Sequence, residues 1–338
     1  MLMPIGLFLL SAVVIVLAGT KLSHYGDRIA EHTGLGRLWI GVVLLAGATS
    51  LPEVFTAVSA VLLDAPNIAV GDLFGAGLSN MLTLALIDAV HRQKRIWQQA
   101  ALEQALIASL AVILTGLAGL LIVVKQPLPL WHVGLGTIAI AVIYVLGMRV
   151  VFRQEDVRRR AQQLERVVEA VEASNRPVAA GVLKRAVTGF ALAALGILVA
   201  APLLAESAKE IAEATGISTT FIGTSLVAIT TSLPELVTTF AAVRLGAFDL
   251  AVGNLFGSNA FNMAILLLAD MAYGKGPLLA AVESTHAVTA FVSMLLMSVG
   301  VMGIIYRAEK RFVLIEPDSL LMILGYGLGM WLLFRIGG

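Results

Sequence analysis

The chain has 338 residues, of which 59% are hydrophobic and 13% are charged, and its mean hydropathy is +0.92. Soluble proteins carry about 25% charged residues, so this composition indicates a membrane protein and argues against a soluble globular domain. The chain contains no cysteine, which excludes disulfides and thiolate metal sites. A net charge of +1 gives no reason to expect a nucleic-acid partner.

Apolar segments long enough to cross a bilayer follow one another along the whole chain. A membrane-spanning helix needs about 20 mainly apolar residues. Ten such segments lie at about 3–20, 37–63, 67–90, 102–124, 130–152, 182–205, 218–243, 249–272, 284–306 and 317–336. The first lacks the basic start of a secretory signal peptide, so we count it as a membrane helix. The sequence therefore predicts an all-α membrane protein with ten transmembrane helices.

The basic residues are divided unevenly between the loops. With the N-terminus outside, 19 of the 23 Lys and Arg residues lie on the inner side. Because cytoplasmic loops carry an excess of Lys and Arg, we expect a multi-pass protein of the cell membrane, inner or plasma, with both termini outside. The charged segment 153–180 would then be a cytoplasmic linker. It would join a first five-helix repeat at 1–152 to a second at 181–338.

A stretch of 43 residues occurs twice, at 46–88 and at 228–270, with an offset of 182 residues. The two copies align without a gap and are identical at 22 positions. Five is an odd number of helices, so the second repeat would enter the membrane from the opposite side. Two repeats with inverted topology are typical of transporters, in which the binding site lies near the midplane between them.

Each copy contains the sequence Thr-Ser-Leu-Pro-Glu inside an apolar helix. Pro52 has no N–H group, so the carbonyl of Ala48 loses its helical partner and the helix must kink or break there. We expect the carbonyls freed near Ala46 to lie beside Thr49 and Glu53, which share one helix face. The second copy offers the corresponding groups of Ala228, Thr231, Ser232 and Glu235.

A second polar cluster begins about twenty residues further on in each copy. It reads GDLFGAGLSN from Gly71 to Asn80 and GNLFGSNAFN from Gly253 to Asn262, where Ser258 and Asn262 share a helix face. Combined over both copies, carboxylates, hydroxyls, amides and carbonyls would form a cage of oxygen ligands. Such ligands suit Ca²⁺ or Na⁺ rather than Zn²⁺ or Cu²⁺. Without a cation, two facing carboxylates would bind a proton.

Structural roles are the alternative for several of these polar groups. The hydroxyls could bond to the preceding helical turn, and Asn80 and Asn262 could join neighbouring helices by hydrogen bonds. Asp88 and Asp270 also match across the repeat, but they lie near the predicted helix ends. We therefore expect these two aspartates to cap helices rather than to bind ions.

These motifs resemble those of the sodium/calcium exchanger family, within the calcium/cation antiporter superfamily, in its prokaryotic ten-helix form. That family carries two inverted repeats with the core G-T-S-x-P-E and the cluster G-N-x-x-G-S-N-x-x-N. The resemblance implies exchange of several Na⁺ for one Ca²⁺, with alternating access produced by sliding of the first and sixth helices. The ion ligands that it implies are Ala46, Thr49, Ser50, Glu53, Asn80, Ala228, Thr231, Ser232, Glu235, Ser258 and Asn262.

The first copy departs from the family pattern at two positions. Ala76 replaces a serine, and the lost hydroxyl weakens one sodium position, which leaves open whether Na⁺ or H⁺ is the coupling ion. Asp72 replaces an asparagine, and we expect it to lie beside the cage or on the ion pathway. A proton-coupled or other divalent-cation exchanger is therefore the alternative function.

Two further classes of protein are alternatives to an antiporter. An ion channel could use the same oxygens, but paired inverted repeats favour alternating access. The sequence shows no motif of an intramembrane enzyme, so we expect no enzymatic activity. We expect the partners to be Ca²⁺, Na⁺ and the lipid bilayer, with no other cofactor and no nucleic acid, and we expect the monomer to be the functional unit.

Overall fold

The computed structural model describes residues 2–33, 39–90, 102–125, 128–169, 180–215, 227–306 and 317–337. Most of these residues are helical, which confirms the predicted class. The part of the chain so described also contains one small antiparallel sheet, in which strand β1 (Pro129–Leu130) pairs with strand β2 (Val133–Gly134). The sheet is a hairpin in a loop and adds no layer to the fold.

The helices are named here in chain order. They are α1 (Leu2–Thr33), α2 (Ala46–Thr49), α3 (Leu51–Leu62), α4 (Pro66–Val90), α5 (Leu102–Val124), α6 (Leu135–Glu169), α7 (Ala180–Thr215), α8 (Val227–Thr231), α9 (Leu233–Arg244), α10 (Phe248–Tyr273), α11 (Leu278–Ala281), α12 (Thr285–Tyr306) and α13 (Pro317–Gly337). A π-helical turn, Ile40–Leu45, leads directly into α2.

Eight helices in the described ranges are long and apolar enough to cross a membrane, and the bent pair Ile40–Thr49 and Leu51–Leu62 brings the number to nine. Helices are expected because a bilayer offers no water to satisfy backbone N–H and C=O groups. The remaining predicted span lies at about 218–243, and its residues up to 226 are outside the described part of the chain. The number ten therefore stays a prediction.

Two long helices extend beyond the apolar segments from which they were predicted. Helix α1 continues from the predicted end near residue 20 to Thr33, and no proline interrupts residues 21–33. Helix α6 continues to Glu169, so the charged linker predicted at 153–180 begins as an extension of that helix. Residues 170–179 of the linker lie outside the described part.

Helices α4 and α10, which carry the second polar cluster of each repeated stretch, form the centre of the bundle. In their most apolar windows 72% and 83% of the residues are buried, against 17% in α1 and 28% in α7. The π-helical turn crosses α10 closely. A Cβ on Gly41 would lie 2.8 Å from the carbonyl oxygen of Leu250, and a Cβ on Gly257 would lie 2.9 Å from the Cα of Val42. Glycine at both positions lets the two backbones meet.

Helices α4 and α10 run in opposite directions. Lys275, just past the end of α10, forms an ion pair of 2.7 Å with Asp64, just before the start of α4. Asn67 in the first turn of α4 accepts a hydrogen bond of 2.9 Å from the backbone N–H of Glu283, beyond α11. The start of α4 and the end of α10 therefore lie at the same end of the bundle.

The repeated stretches share their local backbone structure as well as their sequence. Helices α3 and α9 both end at a residue in the left-handed region, Asp64 with φ 60° and Gly246 with φ 72°. At each end the N–H of the following residue bonds to a carbonyl five positions back, at 2.8 Å and 2.9 Å. This is the Schellman arrangement of a helix C-terminus, and it occurs twice at the 182-residue offset.

Helices α1 and α7 pack against each other at the periphery. Gly189 of α7 lies so close to the ring of Tyr25 that a Cβ there would collide with it. On another side of α1, Gly19 faces Val237 of α9, where a Cβ would come within 2.9 Å of the valine side chain. Small residues thus bring α1 against α7 and against one broken helix.

Candidate ion-binding site

Both Thr-Ser-Leu-Pro-Glu motifs interrupt a helix at the serine. Ser50 separates α2 from α3 with φ −88° and ψ 7°, and the two parts meet at an angle of 45°. Ser232 separates α8 from α9 with φ −81° and ψ 3°. Pro52 and Pro234 lie in the first turn of the following helix, where a proline N–H would have no partner in any case. The predicted breaks are confirmed.

The carbonyls of Ala46 and Ala228 keep hydrogen-bond partners, contrary to the expectation that the breaks would free them. The N–H of Ser50 donates to Ala46 at 2.9 Å, and the N–H of Ser232 donates to Ala228 at 3.1 Å. The reason is that the missing proline N–H affects the carbonyl four residues earlier, which is that of Ala48 and not that of Ala46. A carbonyl oxygen has two lone pairs, so either group can still contact an ion.

All eleven residues predicted as ligands are buried, and none is more than 3% exposed. Hydrogen bonds between side chains join three of them, Ser50, Glu235 and Ser258. Oε1 of Glu235 accepts one bond of 3.0 Å from Ser50 and one of 3.3 Å from Ser258. The structure thus brings the broken helix of the first stretch and the α10 cluster of the second onto one carboxylate.

The threonines of the two motifs make equivalent contacts across the molecule. Thr49 lies 3.3 Å from Oδ1 of Asn254, to which its hydroxyl donates. Thr231 donates a bond of 3.1 Å to Oδ1 of Asp72. Thr231 is the repeat equivalent of Thr49, and Asp72 is the repeat equivalent of Asn254. The two contacts are therefore related by the 182-residue repeat.

The two amide side chains predicted as ligands, Asn80 and Asn262, differ in the number of hydrogen bonds that they make. Nδ2 of Asn80 donates to Oδ1 of Asn259 at 2.8 Å, which leaves Oδ1 of Asn80 without a donor. Asn262, 1% exposed, has no hydrogen-bond partner in the described structure on either side-chain atom. These oxygens are available to a cation, as the predicted ligand roles of Asn80 and Asn262 require.

Unsatisfied polar atoms concentrate in the two repeated stretches. Nine buried side-chain N or O atoms in the described residues have no hydrogen-bond partner, and all nine belong to 46–88 or 228–270. They are Glu53 Oε1 and Oε2, Asp72 Oδ2, Asn80 Oδ1, Ser232 Oγ, Glu235 Oε2, Asn259 Nδ2, and Asn262 Oδ1 and Nδ2. A buried polar group left unpaired costs about 1–3 kcal/mol, and more if it is charged. Seven of the nine are oxygens, so a cation is the ligand that would satisfy most of them.

The candidate site contains three buried carboxylates, Glu53, Asp72 and Glu235, and each repels the other two electrostatically. Among the buried polar and charged residues of the described part there is no Lys or Arg. An uncompensated buried charge is strongly unfavourable. The negative charge therefore has to be balanced by bound cations or protons.

The carboxylates do not converge on a single point. Within the described part, no group of three or more His, Cys, Asp or Glu side chains is arranged to hold one metal ion. A cation bound here would be held by one or two carboxylates together with neutral hydroxyl, amide and carbonyl oxygens. Such mixed oxygen shells suit hard cations such as Na⁺ and Ca²⁺.

Two buried asparagines outside the predicted ligand set take part in the site. Nδ2 of Asn254 donates to the hydroxyls of Thr238 and Thr239, both at 3.1 Å, while its Oδ1 faces Thr49. Asn259 orients Asn80. Both lie within the GNLFGSNAFN cluster, so their position was visible in the sequence. Their role as supports was not, because it depends on which helices meet.

Asp88 and Asp270 are buried, and they lie outside the candidate site. Asp270 accepts bonds of 2.8 Å from the N–H groups of Gly134 and Leu278, the latter in the first turn of α11. Asp88 accepts a bond of 2.8 Å from Ser319 in α13. The prediction that Asp270 caps a helix is confirmed.

The fold and the site together define a multi-pass helical membrane protein with a buried, anionic, oxygen-lined centre between two broken helices. The sequence profile of the sodium/calcium exchanger protein family matches residues 3–150 and 185–335. The chain therefore belongs to the sodium/calcium exchanger family, whose members are cation antiporters. Membership in a transporter family is consistent with the expected lack of enzymatic activity.

Similar proteins include relatives with and without a described activity. Inner membrane protein YrbG of Escherichia coli is 28% identical over 269 residues, which are 79% of each chain. The sodium/calcium exchanger MaX1 of Methanosarcina acetivorans is 45% identical over 76 residues, which are 22% of each chain. A structure of the sodium-calcium exchanger NCX_Mj, soaked with Na⁺ and Sr²⁺, superposes with a TM-score of 0.71 over 98% of each chain at 22% identity. This last likeness shows a common fold.

Proposed function

We propose that the protein is a secondary active antiporter that exchanges Ca²⁺ for Na⁺ at an oxygen-ligand site near the membrane midplane. One observation carries the proposal. All nine unpartnered buried side-chain polar atoms of the described residues lie in the two repeated stretches. A fold that buries so many unsatisfied oxygens in one region gains stability when a cation enters, and this coupling of ion binding to the occluded state is what a transporter needs.

The ligand set is that predicted from the sequence, and the charges favour Ca²⁺ as one of the ions. Glu53 and Glu235 supply two negative charges, which balance one divalent cation. The hydroxyls, amides and carbonyls of the other nine residues complete the coordination shells of Ca²⁺ or, after its release, of Na⁺. Because both ions require the same oxygens, binding of one displaces the other, and the two fluxes become coupled.

Alternating access would follow from two inverted five-helix repeats, ten membrane helices in all. The antiparallel course of α4 and α10 supports this topology, as do the contacts related by the 182-residue offset. Helices α1 and α7 pack against each other outside the buried centre. They would slide as a pair across it and open the site to one side of the membrane at a time.

The proposed exchanger has a defined orientation in the membrane and is driven by an ion gradient. The distribution of Lys and Arg supports termini on the outside and a linker in the cytoplasm. With an inward sodium gradient, the exchanger would then export Ca²⁺ from the cell. No further cofactor is required, since the ion gradient supplies the energy, and one chain contains both halves of the site. The similarity to an inner membrane protein of Escherichia coli supports a cell-membrane location.

The choice of Na⁺ and Ca²⁺ rests on the family and on two similar proteins. MaX1 and NCX_Mj are both named sodium/calcium exchangers. The alternative function is a proton-coupled or other divalent-cation exchanger with the same cage. One observation favours it: Ala76 leaves Glu53 without the hydroxyl donor that Ser258 provides to Glu235. A carboxylate with fewer hydrogen-bond donors accepts a proton more readily.

Flux from proteoliposomes decides between these functions. Vesicles loaded with radioactive Ca²⁺ are diluted into Na⁺, into K⁺, or into a medium that imposes a proton gradient. We expect Ca²⁺ release in the Na⁺ medium alone. Release driven only by protons would replace this proposal with the proton-coupled alternative, and release in all media without a counter-ion would indicate a channel.

A further inference from the structure

Asp72 is the one buried carboxylate of the site that the repeat does not duplicate, since its counterpart 182 positions later is Asn254. It is 0% exposed. Its Oδ1 accepts the bond from Thr231, and its Oδ2 has no hydrogen-bond partner among the described residues. One fully buried carboxylate oxygen thus remains open.

The comparison with Asn254 shows why an amide would not serve at position 72. Asn254 uses both donors of its amide, one toward Thr238 and one toward Thr239. The residues equivalent to these threonines are Thr56 and Ala57. An amide at position 72 would therefore lack one acceptor, so the supporting role of Asn254 is not available in the first copy.

Two further oxygens lie next to the Asp72 carboxylate or one contact away from it. The Thr231 hydroxyl lies 3.1 Å from Oδ1 of Asp72 and 3.2 Å from the carbonyl oxygen of Ala228. Helix α8, which carries both of these residues, packs against α4, which carries Asp72. The Thr231 hydroxyl thus contacts both a carboxylate and a carbonyl, and all three are oxygen ligands that suit a hard cation.

Charge decides which cation fits. The cluster carries a single negative charge, which matches a monovalent ion, whereas Glu53 and Glu235 together match a divalent one. No three acidic side chains in the described part are arranged around one point, so Asp72 and both glutamates do not all bind the same ion. The Asp72 cluster is therefore the part of the cage formed with Thr231 and the Ala228 carbonyl.

We propose that Asp72, Thr231 and the Ala228 carbonyl form a Na⁺ subsite whose charge is supplied by Asp72 and is absent from the equivalent position of the second repeat. This inference rests on the proposed exchange of Ca²⁺ for Na⁺. It makes Asp72 a direct ligand, where the sequence predicted a residue beside the cage. It also places a sodium ligand in the first repeat, which has lost a hydroxyl at Ala76.

The test compares Asp72→Asn with the wild type in proteoliposomes. The expected result is a rise of about 10-fold or more in the Na⁺ concentration that half-activates Ca²⁺ release, with a lower Hill coefficient for Na⁺. Equilibrium binding of radioactive Ca²⁺ to the purified protein without Na⁺ should change by a clearly smaller factor than Na⁺ activation does, because the two glutamates that balance the divalent charge are intact. Asp64→Asn, which removes a carboxylate that is 63% exposed, is the matched control and should change neither quantity.

Asp72→Glu is the second variant, and it keeps the negative charge. If the carboxylate at position 72 binds Na⁺, this variant should retain more Na⁺ affinity than Asp72→Asn. Unchanged Na⁺ activation in Asp72→Asn would overturn the inference, because asparagine mimics a carboxyl group that carries a proton. A wild-type protein without Na⁺-driven Ca²⁺ release would instead overturn the proposed function, so the two failures are distinguishable.

Discussion

Ser50 donates a hydrogen bond of 3.0 Å to Glu235 and so joins the broken helix of the first repeated stretch to that of the second. In the equivalent pair, Ser232 faces Glu53 and interacts with it, but the two form no hydrogen bond of normal length and angle, and both carboxylate oxygens of Glu53 lack such a bond among the described residues. Glu235 is therefore held more firmly by the protein than Glu53, and an ion would contribute more to the orientation of Glu53.

Neutralising either glutamate should abolish Ca²⁺ transport. A unit charge at about 4 Å contributes about 4 kcal/mol at an effective dielectric constant of 20, so Glu53→Gln and Glu235→Gln should each reduce Ca²⁺ flux by at least about 100-fold. Flux from proteoliposomes measures this. Glu283→Gln is the control, because Glu283 is exposed and lies at the end of the bundle. Transport that survives both site variants would show that the carboxylates are structural.

Exchanging a hydroxyl between the repeats should shift Na⁺ dependence in opposite directions. Ser258→Ala removes a 3.3 Å bond to Glu235, and a hydrogen bond to a charged group contributes about 1.5–3 kcal/mol. We expect the half-activating Na⁺ concentration to rise about tenfold.

The reciprocal variant, Ala76→Ser, restores a donor on the side of Glu53 and should lower the half-activating Na⁺ concentration. Thermal unfolding in detergent checks that the buried hydroxyl fits, since Ala76 is fully buried. A folded Ala76→Ser protein with wild-type Na⁺ dependence would mean that this position is too far from the ions to matter.

Asp270 should be important for stability rather than for ion selectivity. Its carboxylate receives bonds from the N–H groups of Gly134 and Leu278 and from Thr137. Asp270→Asn replaces a charged acceptor by an amide, and we expect a loss of about 2 kcal/mol or more in the free energy of unfolding. The unfolding temperature measures this. Asp64→Asn breaks only an exposed ion pair and should cost less than about 1 kcal/mol; equal losses in the two variants would contradict the assigned role.

Adding a methyl group where the π-helical turn meets α10 should destabilise the protein. Gly41→Ala and Gly257→Ala would each force backbone atoms apart, and overpacking typically costs about 1–3 kcal/mol. Gly327→Ala in α13 is the matched control, since no atom lies within 4 Å of its added Cβ, and helix propensity predicts a gain of up to about 1 kcal/mol there. Equal unfolding temperatures for all three variants would show that this crossing is not tightly packed.

Local signals made much of the architecture predictable. The absence of a proline N–H is a property of a single residue, so the breaks at Ser50 and Ser232 could be placed from Pro52 and Pro234 alone. The apolar segments at the start of α1 and α6 end before the helices do, because hydropathy reports where the bilayer ends. A helix continues past that point as long as its residues favour it, as α1 does to Thr33.

By itself, the sequence determined the membrane class, the repeat, the breaks and the residue types of the site, because hydropathy, proline geometry and ligand chemistry are local properties. Only the tertiary structure decided how these residues are paired. It placed Ser50 and Ser258 on Glu235, left Glu53 without a serine hydrogen bond of normal geometry, and set Asp72 against Thr231. These contacts join residues 23 to 185 positions apart, and long-range packing of helices α4, α8 and α10 fixes them. No local pattern could have shown that two identical motifs hold their glutamates differently.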